Sequence, residues 1–351
     1  MRFFLNYAWR LEMMMQNTPV TLKFLAGKLK MSVSTVSKAL NNYPTINEYT
    51  KKRVQEMARE LNFTPNKSAI NLKEKRSRII GIILPNLSDH FFTRSIDGVE
   101  QFATANGYNV IISQSHDDLQ KEILSADMLL RSRVDGLIVA ISKHTQEFDH
   151  LDQFEKMGVP VVYYTRNPSF NLNCHKVLGN TFQGCYQATQ FLIERGHRKI
   201  AYLGGPKMIN FTHDRFNGYI NALKDNQIPF SADLVAYTDF DQKNTITAIK
   251  HLFSGEDNIP TALVAFKEPI LFDAIKYLKS IDYPGFAKIE CVGFGNNAFI
   301  TYLDNPPVAS IEENPESVGE NAIKLLLQLI NKEIDLQDYR KIMVDCRLVL
   351  H

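Results

Sequence analysis

The chain has 351 residues, 44% hydrophobic and 22% charged, with a net charge of only +2. The length predicts two or three domains, and the composition is that of a soluble globular protein. No apolar run approaches the ~18 residues of a membrane span, and Cys174, Cys185, Cys291 and Cys346 show no CxxC or Cys/His spacing, so neither a disulfide framework nor a zinc site is indicated.

The charge is unevenly spread. From Thr18 to Arg78 stand nine Lys and four Arg against four Glu and no Asp, a net +9; with +1 from residues 1–17, that leaves −8 for everything after Arg78. A basic head on a mildly acidic body points to a polyanion as the head's partner, although charge alone also fits a solvated basic face. Ahead of it, residues 1–17 have a short apolar patch broken by Arg10 and Glu12 and no small-residue cleavage site, a poor signal peptide. They are expected to form a disordered or weakly helical extension, and Met13 to Met15 point to a translation start placed too far upstream.

Residues 18–64 predict three short helices. Leu22, Leu25, Ala26 and Leu29 make one apolar face with Thr21 as N-cap, and Ser32 caps a second helix from Val33 to Asn41. Its Val36, Ala39 and Leu40 point inward, leaving Ser34, Thr35, Ser37, Lys38 and Asn41 outward or flanking. Asn47 caps a third helix, Glu48 to Leu61, with Val54, Met57, Ala58 and Leu61 buried. This is the size of a helix-turn-helix domain, whose second helix carries hydroxyls, an amide and a cation suited to base edges and phosphates. Each hydroxyl alone is more simply a helix cap; the combination carries the reading.

Pro65 opens a polar linker, 65–78, in which Leu72 is the odd apolar member. It is either incidental packing or a wedge for a minor-groove step when a hinge orders on DNA. From Ile79 onward, short apolar runs alternate with amphipathic helices, as in parallel sheets covered by helices. IIGIILP, YNVIISQS, VDGLIVA and GVPVVYYT are strands, and KIAYLGG, DLVAYTD, TALVAF and IECVGFG repeat the order. Two Rossmann-like halves place a cleft between loops at the strands' carboxyl ends. No GxGxxG opens a helix, no GxxxxGK[ST] occurs, and His116, His144, His175, His197 and His213 are scattered. No enzyme, metal site or cofactor is expected.

The stretches VTLKFLAGKLKMSVSTVSKALNN, PTINEYTKKRVQEMARELNFTPN, IIGIILPNLSDHFF, RVDGLIVA, LIERGHRKIAYLGG, DRFNGYINAL and PPVASIEENPESVGENA resemble, in order and spacing, the lactose/galactose repressor family (LacI/GalR). The resemblance implies an α plus α/β protein: a three-helix helix-turn-helix head, a hinge, and a periplasmic-binding-protein-like body of two Rossmann-like lobes. The crossovers between lobes are expected near Arg166, Glu312 and Gln337, giving lobe 1 as 79–166 plus 313–337 and lobe 2 as 167–312 plus 338–351.

It also implies a dimeric, cytoplasmic transcriptional regulator, a repressor, on a near-palindromic operator. Groove contacts fall on Val33, Ser34 and Lys38; backbone contacts on Thr21, Thr35, Ser37, Asn41 and Asn47; the intercalating leucine on Leu72, with Lys73 beside it. Effector contacts fall on Asp89, Phe91, Phe92, Arg166, Arg215, Phe240, Lys267, Glu268 and Asn296, aromatic and charged groups that suit a polyhydroxylated ligand. Phe91 and Phe240 fit core packing as well, and Arg215 a structural salt bridge. Lys30 replaces the family's turn glycine, with a reshaped turn as one outcome; Phe24 stands at a common Asp, and Ile70 at a hinge Arg or Gln. In the body Thr165, Gly179 and Gly295 replace frequent aspartates, which leaves open an unusual sugar, a phosphorylated sugar or oligosaccharide meeting Arg166, Arg215 and Lys267, or no small effector. Two other functions fit parts of the sequence: a DNA-binding regulator with no effector, and a solute-binding module whose head does not bind DNA.

Overall fold

The computed structural model describes residues 20–63, 76–166, 173–254 and 259–351. The expectations for residues 1–17, Leu72, Lys73 and Ile70 lie outside them. The chain divides into two units between Arg76 and Ser77.

In the head, α1 (Leu22–Leu29), α2 (Val33–Leu40) and α3 (Glu48–Glu60) close on Leu25, Ala26, Leu29, Val36, Ala39, Val54 and Ala58. Each start is capped by the residue expected. Thr21 accepts from Phe24 N at 3.2 Å, Ser32 from Thr35 N at 3.0 Å and Asn47 from Thr50 N at 2.8 Å. The turn after α1 is not reshaped around Lys30. Lys30 takes the left-handed conformation, φ 53° and ψ 40°, and Met31 N still bonds Ala26 O at 3.0 Å. Because a Cβ is strained there by about 1–2 kcal/mol, offset by about 0.5–1 kcal/mol for the freedom a glycine loses, Lys30→Gly should stabilise the head modestly. Hydrogen exchange should report greater protection of the α1 amides; unchanged or weaker protection would mean the lysine is not strained.

The body starts at Ser77, two residues before the expected boundary. Ser77 N and Oγ and Arg78 N all donate to the Asp135 carboxylate at 2.7–2.9 Å, tying the chain down ahead of the first strand. Then follow β1 (Ile79–Leu84), α4 (His90–Ala105), β2 (Asn109–Gln114), α5 (Leu119–Arg131), β3 (Gly136–Val139), α6 (Asp149–Lys156), β4 (Val161–Tyr164) and β5 (His175–Gly179). The second half runs α7 (Thr181–Glu194), β6 (Ile200–Gly204), α8 (Asn210–Asp225), β7 (Val235–Tyr237), α9 (Gln242–Leu252), β8 (Ala262–Ala265), α10 (Glu268–Ser280), β9 (Glu290–Phe294), β10 (Ala309–Glu312), α11 (Pro315–Ile330), β11 (Lys341–Val344) and β12 (Arg347–Leu350).

These strands make two six-stranded sheets, ordered β11-β5-β4-β3-β1-β2 and β12-β10-β9-β8-β6-β7. All pairings are parallel except β10 with β12. Alternation along β1 explains the layers: Ile80, Ile82 and Leu84 pack under α4 and α11, while Ile83 faces the α5 and α6 side.

Two expected crossovers are corrected. β5 pairs with β4 through Val162–His175 and Tyr164–Val177, so the chain changes lobe after Gly179, not near Arg166. β11 pairs with β5 in the first sheet and β12 with β10 in the second, so the last change falls between Val344 and Arg347, not near Gln337. β11 is the edge strand and β5 its neighbour, and both are short with one apolar side, a weak signal beside the continuous apolar runs of β1, β3 and β4. The crossover near Glu312 is found where expected, at the end of β10.

In the first lobe α4 and α11 cross closely. A Cβ on Gly98 of α4 would lie 2.1 Å from Glu316 O, and one on Gly319 of α11 would lie 1.9 Å from Ser95 O. Backbone cannot yield as a side-chain tip can. Gly319→Ala should therefore cost about 3 kcal/mol or more and lower the body's melting temperature; a loss below about 1 kcal/mol would mean the helices separate freely.

Candidate functional site

On the head, Val33, Ser34 and Lys38 are exposed on α2, Thr35 and Ser37 are half-buried, and Asn41 is exposed at its end. The residues expected to touch the phosphate backbone are busy locally. Thr35 Oγ1 lies 2.8 Å from Ser32 Oγ, Asn41 Nδ2 donates to Ser37 O at 2.9 Å, and Thr21 and Asn47 are caps. The capping and the contact readings are compatible. A capped N-terminus still presents first-turn N–H groups to a phosphate, and a cap hydroxyl keeps its proton. Lys23, Lys28, Lys30, Lys52 and Arg53 are exposed on the same unit, and Tyr43 and Tyr49 stand 53% and 76% exposed. No periodicity singles out those two tyrosines, so the sequence reading passed over them.

In the body, a chamber of about 650 Å³ opens between the lobes. It gathers Asp89, Phe91, Phe92 and Arg166 from one lobe with Arg215, Phe240 and Lys267 from the other. Asp89 caps α4, its carboxylate accepting from Phe91 N at 3.1 Å, and reaches across to Lys267 Nζ at 3.4 Å. Lys267 Nζ also lies 4.0 Å from the centre of the Phe240 ring. Arg166, buried, pairs with Asp117 and lies over Phe92.

Arg215 is 2% exposed. Its guanidinium donates to Phe266 O and, at 2.5 Å, to Glu313, and it stands 3.7, 4.3 and 4.8 Å from the ring centres of Phe294, Phe266 and Phe211. Burial pushes the Glu313 carboxyl above the usual carboxylate range; the Arg215 charge opposes the shift, while Asp89 and Glu312 add to it. Arg215 therefore has the structural salt bridge and a place in the chamber wall, both at once.

Glu268 and Asn296 do not belong to the chamber. Glu268 is fully buried, accepting from Asn296 N at 2.7 Å, Asn297 N at 2.9 Å, and the side chains of Asn297 and Ser310. Asn296 donates its side-chain amide to Glu312 at 2.9 Å. Asn297 lines the chamber instead.

The same carboxylate accounts for the missing aspartate at Gly295. Gly295 has φ 147°, and a Cβ built there would lie 2.8 Å from Glu268 Oε2. An aspartate would be strained and would face a second negative charge, that of the buried Glu268, which itself lies outside the chamber. Beside Arg166, Thr165 offers no carboxylate, and Asp117 from the loop after β2 takes its place. Asp239, Asp241 and Glu313 also line the chamber. The acceptors that the sequence seemed to lack are present at other positions. His116, Asp117, Thr165 and Phe240, all lining it, hold positive φ values of 52°, 58°, 54° and 77°, a local concentration of backbone strain of the kind that marks ligand sites.

Among the described residues no group of three His, Cys, Asp or Glu could hold a metal ion, and no helix is long and apolar enough to cross a membrane.

Comparison with known proteins places both units. Residues 21–66 match the family of bacterial regulatory proteins of the lacI family, and residues 77–350 match periplasmic binding proteins and the sugar binding domain of the LacI family. The chain is 30% identical over 311 residues to the HTH-type transcriptional repressor PurR of Aliivibrio salmonicida, covering 88% of this chain and 92% of that one. It is 29% identical over 317 residues to catabolite control protein A of Priestia megaterium, covering 90% and 93%. The Lac repressor dimer bound to operator and an anti-inducer has the same fold, with TM-score 0.80 and 23% identity over 95% of this chain and 98% of that chain. The chain belongs to the LacI family of bacterial regulatory proteins and is a DNA-binding transcriptional regulator.

Proposed function

We propose that this regulator represses transcription as a homodimer on a near-palindromic operator, and that a carbohydrate-like effector in the chamber between the lobes sets its affinity for that DNA. Val33, Ser34 and Lys38 read the major groove; Thr21, Thr35, Ser37, Asn41 and Asn47 fix the head on the phosphates. Leu72 and Lys73 complete the DNA contacts in this reading. PurR of Aliivibrio salmonicida is a repressor, and the Lac repressor is seen as a dimer bound to its operator, which supports both parts. Exposed apolar side chains on neighbouring elements of the first lobe, Ile112 of β2 and Leu124 and Met128 of α5, are suited to a second copy. Operator binding places the protein in the cytoplasm with the DNA.

The observation that carries the effector assignment is the chamber itself. It brings phenyl faces and fixed carboxylates from two lobes around one space, and its ion pair Lys267–Asp89 spans the gap. Aromatic faces take the apolar faces of a sugar ring, while carboxylates and guanidinium groups take its hydroxyls. A ligand that favours one lobe arrangement shifts the operator-binding population by its difference in affinity for the two arrangements. A thermal-shift screen of the full chain against a carbohydrate panel tests the reading. A sugar or sugar derivative that raises the melting temperature and also changes operator affinity is the expected result. A panel with no stabilising member, or stabilisation without any change on DNA, would favour a regulator without a small effector.

A further inference from the structure

We propose that the cleft contains a second, cationic compartment that receives a phosphate group, which makes the effector a phosphorylated sugar. This rests on the chamber being the effector site. Next to the chamber lies a cavity of about 480 Å³, between Ser142, Lys143 and Thr145 of one lobe and the Lys207–Asn210 loop of the other. Lys143 and Arg166 line both spaces, so a ligand seated in one reaches the other without leaving the cleft.

The charges of the two compartments differ. Apart from Lys143, which it shares with the smaller cavity, the main chamber's cations Arg166, Arg215 and Lys267 already have their acids, Asp117, Glu313 and Asp89 in turn. A phosphate placed there would have to displace a carboxylate. The smaller cavity is lined by Lys143, Lys207, His213 and the Asp117-paired Arg166, and by no carboxylate of its own. Among the described residues neither Lys143 nor Lys207 forms an ion pair; Lys207 Nζ lies 4.6 Å from the centre of the Tyr237 ring, and Asp239 senses Lys143 only weakly, after its hydrogen bonds to Asn244 and the Asp241 backbone. Two lysines facing an acid-free pocket repel each other and gain most from a doubly charged anion.

The pocket is also built rather than incidental. The loop that carries Lys143 is braced from behind by the fully buried Glu122, which accepts from Ser142 N at 2.5 Å, Thr145 Oγ1 at 2.9 Å and His150 Nε2 at 2.9 Å. On the other side Ile209 and Asn210, where the 16-residue α8 starts without a side-chain cap, line the wall and add the favourable end of the helix dipole.

Calorimetric titration of the full chain with inorganic phosphate tests this. Saturable binding is expected, weakened about tenfold or more in Lys143→Gln/Lys207→Gln, since each loses a charge-assisted hydrogen bond. A charge-keeping control, Lys143→Arg/Lys207→Arg, should retain binding. No saturable binding, or equal affinity in the Gln double variant, as when the basic head takes the ion, overturns the proposal. Neutral sugars test the main chamber separately: a neutral sugar that alters operator binding alike in wild type and double variant, with phosphate affinity also unchanged, leaves the effector site standing and removes the phosphate compartment.

Discussion

Operator affinity should fall by roughly three to five orders of magnitude between 50 and 200 mM salt if the dimer makes about 6–10 phosphate contacts. Residues 18–78 carry a net +9, and the exposed Lys23, Lys28, Lys30, Lys38, Lys52 and Arg53 lie on the head. Each cation that neutralises a phosphate releases condensed counterions, and the entropy of that release shrinks as bulk salt rises. The slope of log K against log salt therefore counts the contacts. Lys38→Gln should reduce the slope by about one unit per head and relax sequence preference as well, because Lys38 stands on the exposed face of α2. A slope near zero would remove the operator from the account, whatever the family.

The second large effect is expected at Arg215. Arg215→Ala should abolish the response to the stabilising carbohydrate and also cost the body about 3–5 kcal/mol, because it leaves Glu313 buried without its partner. It also empties a space among Phe211, Phe266 and Phe294. Loss of response in that variant alone would be ambiguous. The double variant Arg215→Met/Glu313→Gln separates the two roles. An apolar chain of similar length suits the three rings, and a neutral amide in place of Glu313 removes the stranded charge, so most of the stability should return. The response should not return, since the guanidinium and carboxylate facing the chamber are gone. A double variant that still responds would place the effector elsewhere in the cleft.

The caps were the most legible part of the chain. Thr21, Ser32 and Asn47 each stand one residue before a helix, and their side chains serve no other residue as well as the first-turn N–H groups. Body helices began up to a turn earlier than their apolar stripes, because Asp89 and Asp241 cap them ahead of the first buried residue. Strands with a single apolar side are harder to read. His175–Gly179 and Lys341–Val344 have one apolar side, and assigning them to the wrong lobe moved two crossovers.

Within the site, position and chemistry came apart. Seven residues placed by resemblance do line the chamber, yet Glu268 turns inward to hold the Asn296–Asn297 turn. Only the backbone at Gly295 reveals why: with φ 147° and Glu268 behind it, that position has no room for an acid. Asp117 and Glu313 were not singled out, since a carboxylate's partner in another loop leaves no trace in local spacing. The strand-end loops that carry Asp117 and Asp239 were the available signal.

Coupling between the cleft and the DNA-binding head is measured by one binding isotherm. An operator obtained by in vitro selection with the full chain would be titrated by fluorescence anisotropy, with and without the carbohydrate that stabilises the protein. A change in operator affinity of about 5- to 150-fold is expected in the wild type and none in Arg215→Met/Glu313→Gln. Identical isotherms for the wild type with and without a bound, stabilising carbohydrate would contradict it.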